Sequence, residues 1–207
     1  MPTISIIAPI FEQARMTEQF LNDIPLKIKS DYEVIIIDNG SSQETKDLLK
    51  KYPDVIVLTY PKNRYVTEPW NTGISIARGE YVMVCNNDIT FAEWIDLELI
   101  KHYDWKIQSP LIRQHGETKP RYYANNINGT CWMIKKSDFH TPIPEDFKIW
   151  YNDDWLFFTY GTNWVASTEV EHWWSQTVNS FHHNPVTDKD REAFIKLSKE
   201  NGWGKHY

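Results

Sequence analysis

Tyr81-Val82-Met83-Val84-Cys85-Asn86-Asn87-Asp88 is the stretch on which the reading of this chain turns. An apolar run stops abruptly in two amides and a carboxylate. A run this short, preceded by Gly79, is read as a buried strand rather than a helix. In an open α/β sheet, ligands occupy the crevice beyond the carboxyl ends of the strands, and Asn86, Asn87 and Asp88 would stand at that crevice. Asp88 supplies a hard oxygen suited to Mg²⁺ or Mn²⁺. The same residue types also favour turns for local reasons, so the stretch alone leaves a simple turn and a ligand site both open.

Upstream, the chain alternates. A strand over residues 3–8 closes at Pro9, and a helix follows over about 17–23. The continuously apolar run 32–37 reads as a parallel strand covered on both faces. Ser41 or Ser42 can cap a helix reaching about Lys51, and 55–59 is a third strand. Pro69 suits a helix start and Gly79 its end, giving a helix over 69–78. This β-α-β-α-β-α-β order predicts a doubly wound, mostly parallel sheet. Downstream the rhythm loosens. A helix is expected over 91–102, strands over 107–113, 129–136 and 164–168, and helices over 153–160 and 188–200. The last ends at Gly202, and loops fall at 115–119 and 141–144. No repeat or linker divides the chain, so residues 1–207 read as one domain, a nucleotide-binding half (1–90) followed by an acceptor-binding half (91–207).

Composition narrows the classes. With 22 basic and 28 acidic residues in 207, the net charge of −6 gives no basic footprint for a nucleic-acid backbone. Cys85 and Cys131 form neither a CxxC pair nor a disulfide framework, which points to a reducing compartment. The opening residues lack a signal-peptide pattern, and no apolar run approaches the roughly 20 residues of a spanning helix. The chain is therefore expected to be soluble and cytoplasmic. Ten Trp residues fill cores but also make stacking platforms.

Three polar clusters end the apolar strands of the first half, at 9–12, 38–42 and 86–88, and a parallel sheet brings them to one edge. Neither G-x-G-x-x-G nor G-x-x-x-x-G-K-[ST] occurs, which argues against a dinucleotide fingerprint and a P-loop. A nucleotide here would rely on carboxylates, aromatics and a divalent ion. At this point the residues resemble a family. Ser5 to Glu12 is similar to the opening strand and hydrophobic-Pro-x-aromatic-x-acid turn of family 2 glycosyltransferases of the GT-A fold. Glu33 to Ser42 resembles that family's D-D-G-S strand end, with Asn39 in place of the second Asp. Asn71-Thr72-Gly73-Ile74-Ser75-Ile76-Ala77-Arg78-Gly79-Glu80-Tyr81 resembles its N-x-G-x-x-x-A-x-G-x-Y block, and Asn86-Asn87-Asp88 falls where it carries D-x-D.

The resemblance implies roles. Pro9, Phe11 and Glu12 would line the base and ribose pocket, and Asp38 would face the base edge. Asn71 and Arg78 would organise the sugar-diphosphate site, although Arg78 also reads as an exposed residue at a helix end. Asn86 and Asn87 would lie along the donor, with Asp88 binding the metal, Mn²⁺ or Mg²⁺. Asn86 replaces the first Asp of D-x-D, which weakens metal binding. His172, in a hydrophobic-x-His-x-x-Ser-x-Thr piece, is the preferred second ligand over His182 and His183. Asp153-Asp154 resembles the acidic pair that supplies the general base, with Asp154 chosen as base and Asp153 as its neighbour. Adjacent carboxylates repel, which lifts a pKa. Trp132 and Trp155 are expected to face the acceptor, with a core place as the other reading for Trp132.

The activity implied is metal-dependent, inverting transfer of a sugar from a nucleotide-sugar, a UDP-sugar by family frequency, to an acceptor hydroxyl. A saccharide acceptor is the first reading. The alternatives are a hydroxymethylated base in DNA, which the net charge does not favour, and a catalytically inactive sugar-nucleotide-binding module.

Overall fold

The computed structural model describes residues 1–121, 129–173 and 185–203. Its strands are β1 (Ile4–Ile10), β2 (Tyr32–Asp38), β3 (Ile56–Thr59), β4 (Tyr81–Cys85), β5 (Ile89–Phe91), β6 (Ile107–Gln114), β7 (Cys131–Lys135) and β8 (Thr162–His172). Its helices are α1 (Ala14–Lys27), α2 (Gln43–Leu49), α3 (Thr67–Ile76), α4 (Ile95–Lys101), α5 (Asn152–Tyr160) and α6 (Pro185–Glu200). All the strands join one sheet in the order β3-β2-β1-β4-β7-β6-β8-β5. The first four strands pair in parallel. Beyond β4 the sheet is mixed: β4–β7, β7–β6 and β8–β5 are antiparallel, and β6–β8 is parallel.

Strand side chains alternate between faces, and both faces are buried. Ile4, Ile6, Val34, Ile36, Met83, Cys85, Cys131 and Met133 share one core with Phe20, Leu21 and Ile24 of α1, Leu49 of α2, and Ile95 and Leu99 of α4. Ile7, Ile35, Ile37, Val82, Val84, Trp132 and Ile134 share the other with Trp70 and Ile74 of α3, Trp155 and Leu156 of α5, and Phe194 of α6. This two-sided burial explains why the central strands carry no period-2 polarity. Cys85 and Cys131 are free and buried, and burial raises both thiols.

Several boundaries differ from the sequence expectation. β1 runs through Pro9, which stands opposite Ile37, to Ile10. α1 begins at Ala14, before Thr17, and carries Pro25 in its last turn. Phe91 is not helical: it pairs with Val170, and Asp23 accepts its N–H (2.9 Å). β8 continues past residue 168 to His172, with a register shift against β6 between Pro110 and Leu111. Among the described residues no helix is long and apolar enough to cross a membrane.

The 71–81 block has a physical explanation in packing. A Cβ on Gly73 would lie 2.3 Å from Ile7 Cγ2, and one on Gly79 would lie 2.5 Å from the Ser5 backbone nitrogen. Both glycines let the chain lie against β1. Gly79→Ala is expected to destabilise more than Gly73→Ala, because it meets backbone rather than side chain. Gly73→Ala should cost about 1–3 kcal/mol, the usual range for overpacking, measured by urea denaturation. Equal, near-zero losses would contradict this packing account.

Candidate active site

The ends of β1, β2 and β4 converge on a cleft of about 220 Å³. Pro9, Phe11, Asn39, Asn86, Asn87 and Asp88 line it from the strand ends of the first half of the chain, and Gly129, Thr130, Ile149, Trp150, Asn152 and Asp153 line it from the second half. Asn63, Tyr65, Val66 and Trp70 complete the lining. Asn39 ties the 63–65 loop down: its Nδ2 donates to the Tyr65 carbonyl (2.6 Å), and its Oδ1 accepts from the Arg64 N–H (2.7 Å). Tyr65 is held at φ 68° and Tyr151, between the lining residues Trp150 and Asn152, at φ 66°. Non-glycine residues adopt this region only when their surroundings enforce it.

At the end of β4, the Asn86 N–H donates to the Thr130 carbonyl (2.9 Å), and Asn87 Nδ2 donates to buried Thr17 Oγ1 (2.9 Å). Asp88 immediately precedes β5, whose Ile89 pairs with His172 at the end of β8. That register brings His172 Nε2 to 3.3 Å from Asp88 Oδ1. Both residues are buried, and neither Asp88 Oδ1 nor either His172 ring nitrogen makes a hydrogen bond. Buried polar atoms are normally paired, so two facing atoms left unpaired suit a shared cation. No group of three or more His, Cys, Asp and Glu residues placed to hold a metal ion occurs among the described residues. His182 and His183 lie outside the described residues.

Asp153 stands in the first turn of α5. Its Oδ2 accepts from the Gly129 N–H (3.3 Å) and its Oδ1 from the Asp154 N–H (3.1 Å). Burial, and then the charge of Asp154, raises its carboxyl to about 6 despite these hydrogen bonds. Asp153 lines the cleft and Asp154 does not; Asp154 is buried beside it. Neighbouring helical residues point about 100° apart, following from 3.6 residues per turn, so one of such a pair faces a cleft and the other leaves it.

Other expected contacts are redirected. Glu12 spends both carboxylate oxygens on Ser42, accepting from its N–H (3.0 Å) and Oγ (2.6 Å) at the start of α2. Asp38 is fully buried and accepts from the Ser41 N–H (2.9 Å), and it is Asn39 that reaches the cleft. Asn71 clamps the 141–144 break, donating to the Ile143 carbonyl (2.7 Å) and accepting from the Ile143 N–H (3.0 Å). Arg78 lies at the opposite end of the strands, where its Nε donates to Glu33 Oε2 (2.7 Å); Glu33 pairs with Ser5 near the start of β1. Trp132 and Trp155 are core residues, Trp132 packing edge-on against Trp70 with ring centroids 5.6 Å apart. Sequence reasoning missed Trp150, Tyr65, Asn63 and Asn152. Trp150 and Asn152 flank the acidic pair, and that proximity was the available signal.

Residues 5–105 match the family model described as Glycosyl transferase family 2. Over that stretch, just under half of its length, the chain is similar to that family. It is 32% identical over 166 residues to a poly(ribitol-phosphate) beta-glucosyltransferase of Bacillus spizizenii, a match covering 76% of this chain and 24% of that one. The chain thus spans about a quarter of that relative's length. Among solved structures, S. aureus TarS 1-349 in complex with UDP-GlcNAc is similar with a TM-score of 0.73 at 14% identity, covering 95% of this chain and 66% of that one. GalNAc-T7 with UDP, GalNAc and Mn2+ gives 0.73 at 11% identity, covering 96% and 48%. The fold is GT-A.

The redirected residues give a test that a ligand-contact role would not pass. Asn71→Ala removes two hydrogen bonds to one backbone residue, at about 0.5–1.5 kcal/mol each, and is expected to lower the urea midpoint accordingly. A stability equal to the parent chain would return Asn71 to the list of ligand contacts.

Proposed function

We propose that the chain transfers a sugar from a UDP-sugar to a hydroxyl of a polyol-phosphate or saccharide acceptor, with inversion and with a divalent cation. The observation that carries this is the disposition of two elements about one cleft. Asp88, whose Oδ1 is left without a hydrogen bond beside His172, and Asp153, whose carboxyl is raised to about 6, line the same cleft. Similarity to the family, a relative named for poly(ribitol-phosphate) glucosylation, and neighbours solved with UDP-GlcNAc and with Mn2+ support the substrate classes.

Asp88 and His172 would hold the cation, which suits their mixed oxygen and nitrogen donors. Two protein ligands leave room for substrate phosphates, as Mn²⁺ and Mg²⁺ sites at nucleotides do. Such an ion supplies Lewis-acid stabilisation of charge on a leaving diphosphate. Phe11 and Pro9 offer apolar surface to the base, and the Asn39, Asn86 and Asn87 amides offer hydrogen bonds without charge. Asp153 is the base: its ionised carboxylate accepts the acceptor's hydroxyl proton as the oxygen attacks the anomeric carbon. The Gly129 N–H holds the carboxylate in place for that transfer. A binding-only role accounts for the cleft but not for a carboxylate poised near neutrality.

With UDP-GlcNAc or UDP-glucose and Mn²⁺, the chain is expected to release UDP, with activity rising to a plateau above pH about 6. Asp153→Asn should reduce turnover about 10²–10⁴-fold, the usual weight of a general base. The same substitution has a stability signature. The folded pKa of about 6 lies above the ordinary 3.8, so the folded state holds the proton more tightly. That contribution is full below 3.8 and lost as pH rises through about 6. Asp153→Asn should therefore melt above the parent chain at pH 7.5, and the difference should vanish near pH 4. Full turnover in Asp153→Asn, with Asp154→Asn inactive, would move the base back to Asp154. Absence of UDP release under every condition would remove the transferase reading.

A further inference from the structure

We propose that Trp150 is the acceptor-side platform of the cleft and that Asp190, from α6, is the positioning residue that holds it. This rests on the transferase reading above. A general base must come within about 2.6–3.2 Å of the proton it takes, so the groups flanking Asp153 are those that meet the acceptor. Ile149, Trp150 and Asn152 are those groups, while Pro9, Phe11 and Asn39 line the cleft from the ends of β1 and β2.

The 148–150 segment belongs to no helix or strand. It is held instead by one side chain. Asp190 is fully buried, and its carboxylate accepts from three successive backbone N–H groups: Lys148 (2.9 Å), Ile149 (2.8 Å) and Trp150 (2.9 Å). On the other side of the segment, the Lys148 carbonyl accepts from the Val66 N–H (2.8 Å) and Thr67 N–H (3.4 Å). The Trp150 indole Nε1 donates to Thr187 Oγ1 on the same helix (3.2 Å). The indole's one polar atom is thereby spent on α6, and its apolar ring is left to line the cleft. An indole so fixed fits the C–H face of a sugar or polyol, because large rigid aromatics give contact area at low entropic cost. Burying a carboxylate is costly unless it is fully hydrogen-bonded, and Asp190 does not itself line the cleft. Its charge is therefore committed to the shape of this wall.

Steady-state kinetics separate this from a merely structural role, with UDP-GlcNAc and Mn²⁺ as donor system and a ribitol-phosphate oligomer or N-acetylglucosamine as acceptor. Trp150→Ala is expected to raise the acceptor KM about tenfold, the equivalent of one contact of ordinary strength. Thr187→Val and Asp190→Asn should raise it in the same direction, and Trp150→Phe should restore most of the loss. Thr187 does not line the cleft, so in Thr187→Val donor KM and acceptor-free UDP release should stay within about twofold, below the scale of a single lost contact. Donor and acceptor KM moving together in that variant, or neither moving, would overturn the proposal. If Asp190→Asn does not fold, Thr187→Val carries the test, since it removes only one hydroxyl. A chain that releases UDP yet transfers to neither acceptor overturns this inference and leaves the transferase reading standing. A chain that releases no UDP overturns both.

Discussion

The antiparallel pairing of β4 with β7 is the seam from which the site follows. Cys85 stands opposite Cys131, so the next residue on one strand meets the previous residue on the other, and the Asn86 N–H reaches the Thr130 carbonyl. That single register sets the polar end of a parallel half against the Gly129-Thr130 turn of a mixed half. Gly129 then anchors Asp153. A slip of one residue would exchange the two faces of β7, sending Trp132 and Ile134 into the wrong core and breaking the contact at Thr130. A second register, Ile89 with His172, does the same for Asp88 and His172. Residues 84 positions apart in sequence meet because two short strands agree on one pairing.

Sequence pattern made the parallel half legible because its signals are local. Apolar runs, polar strand ends and helix-stopping glycines are all read within a few residues. The 71–81 block shows the limit of that reading. It is similar to a block found in donor-binding enzymes, yet Gly73 and Gly79 serve close packing on β1, Asn71 pins a distant turn and Arg78 pairs with Glu33. A recurrent motif need not touch ligand to be required by the fold that holds one.

The same limit applies in the second half. Asp153 and Asp154 are indistinguishable in sequence, and only the phase of α5 places one at the cleft. Trp132 sits in a strand whose both faces are covered, which sequence cannot tell from a strand with an open face. Asp190 lies in a polar helix with the appearance of a solvated surface, and its three amide partners are some 40 residues away. Nothing local marks a carboxylate that is buried for the sake of a backbone elsewhere. The non-glycine residues of left-handed φ, Glu12, Gln13, Tyr65, Trp94, Trp105 and Tyr151, are also silent in sequence. Of these, Tyr65 lines the cleft.

The grip of Asp190 on the 148–150 segment also fixes an order of assembly. The strands of the parallel half, from β1 to β4, can pair using residues 4–85 alone. The second wall cannot form that way, because the side chain that gathers it belongs to the final helix. The strand-end edge of the cleft is thus complete in the first half of the chain, and the wall that Asp190 gathers is added only as α6 docks.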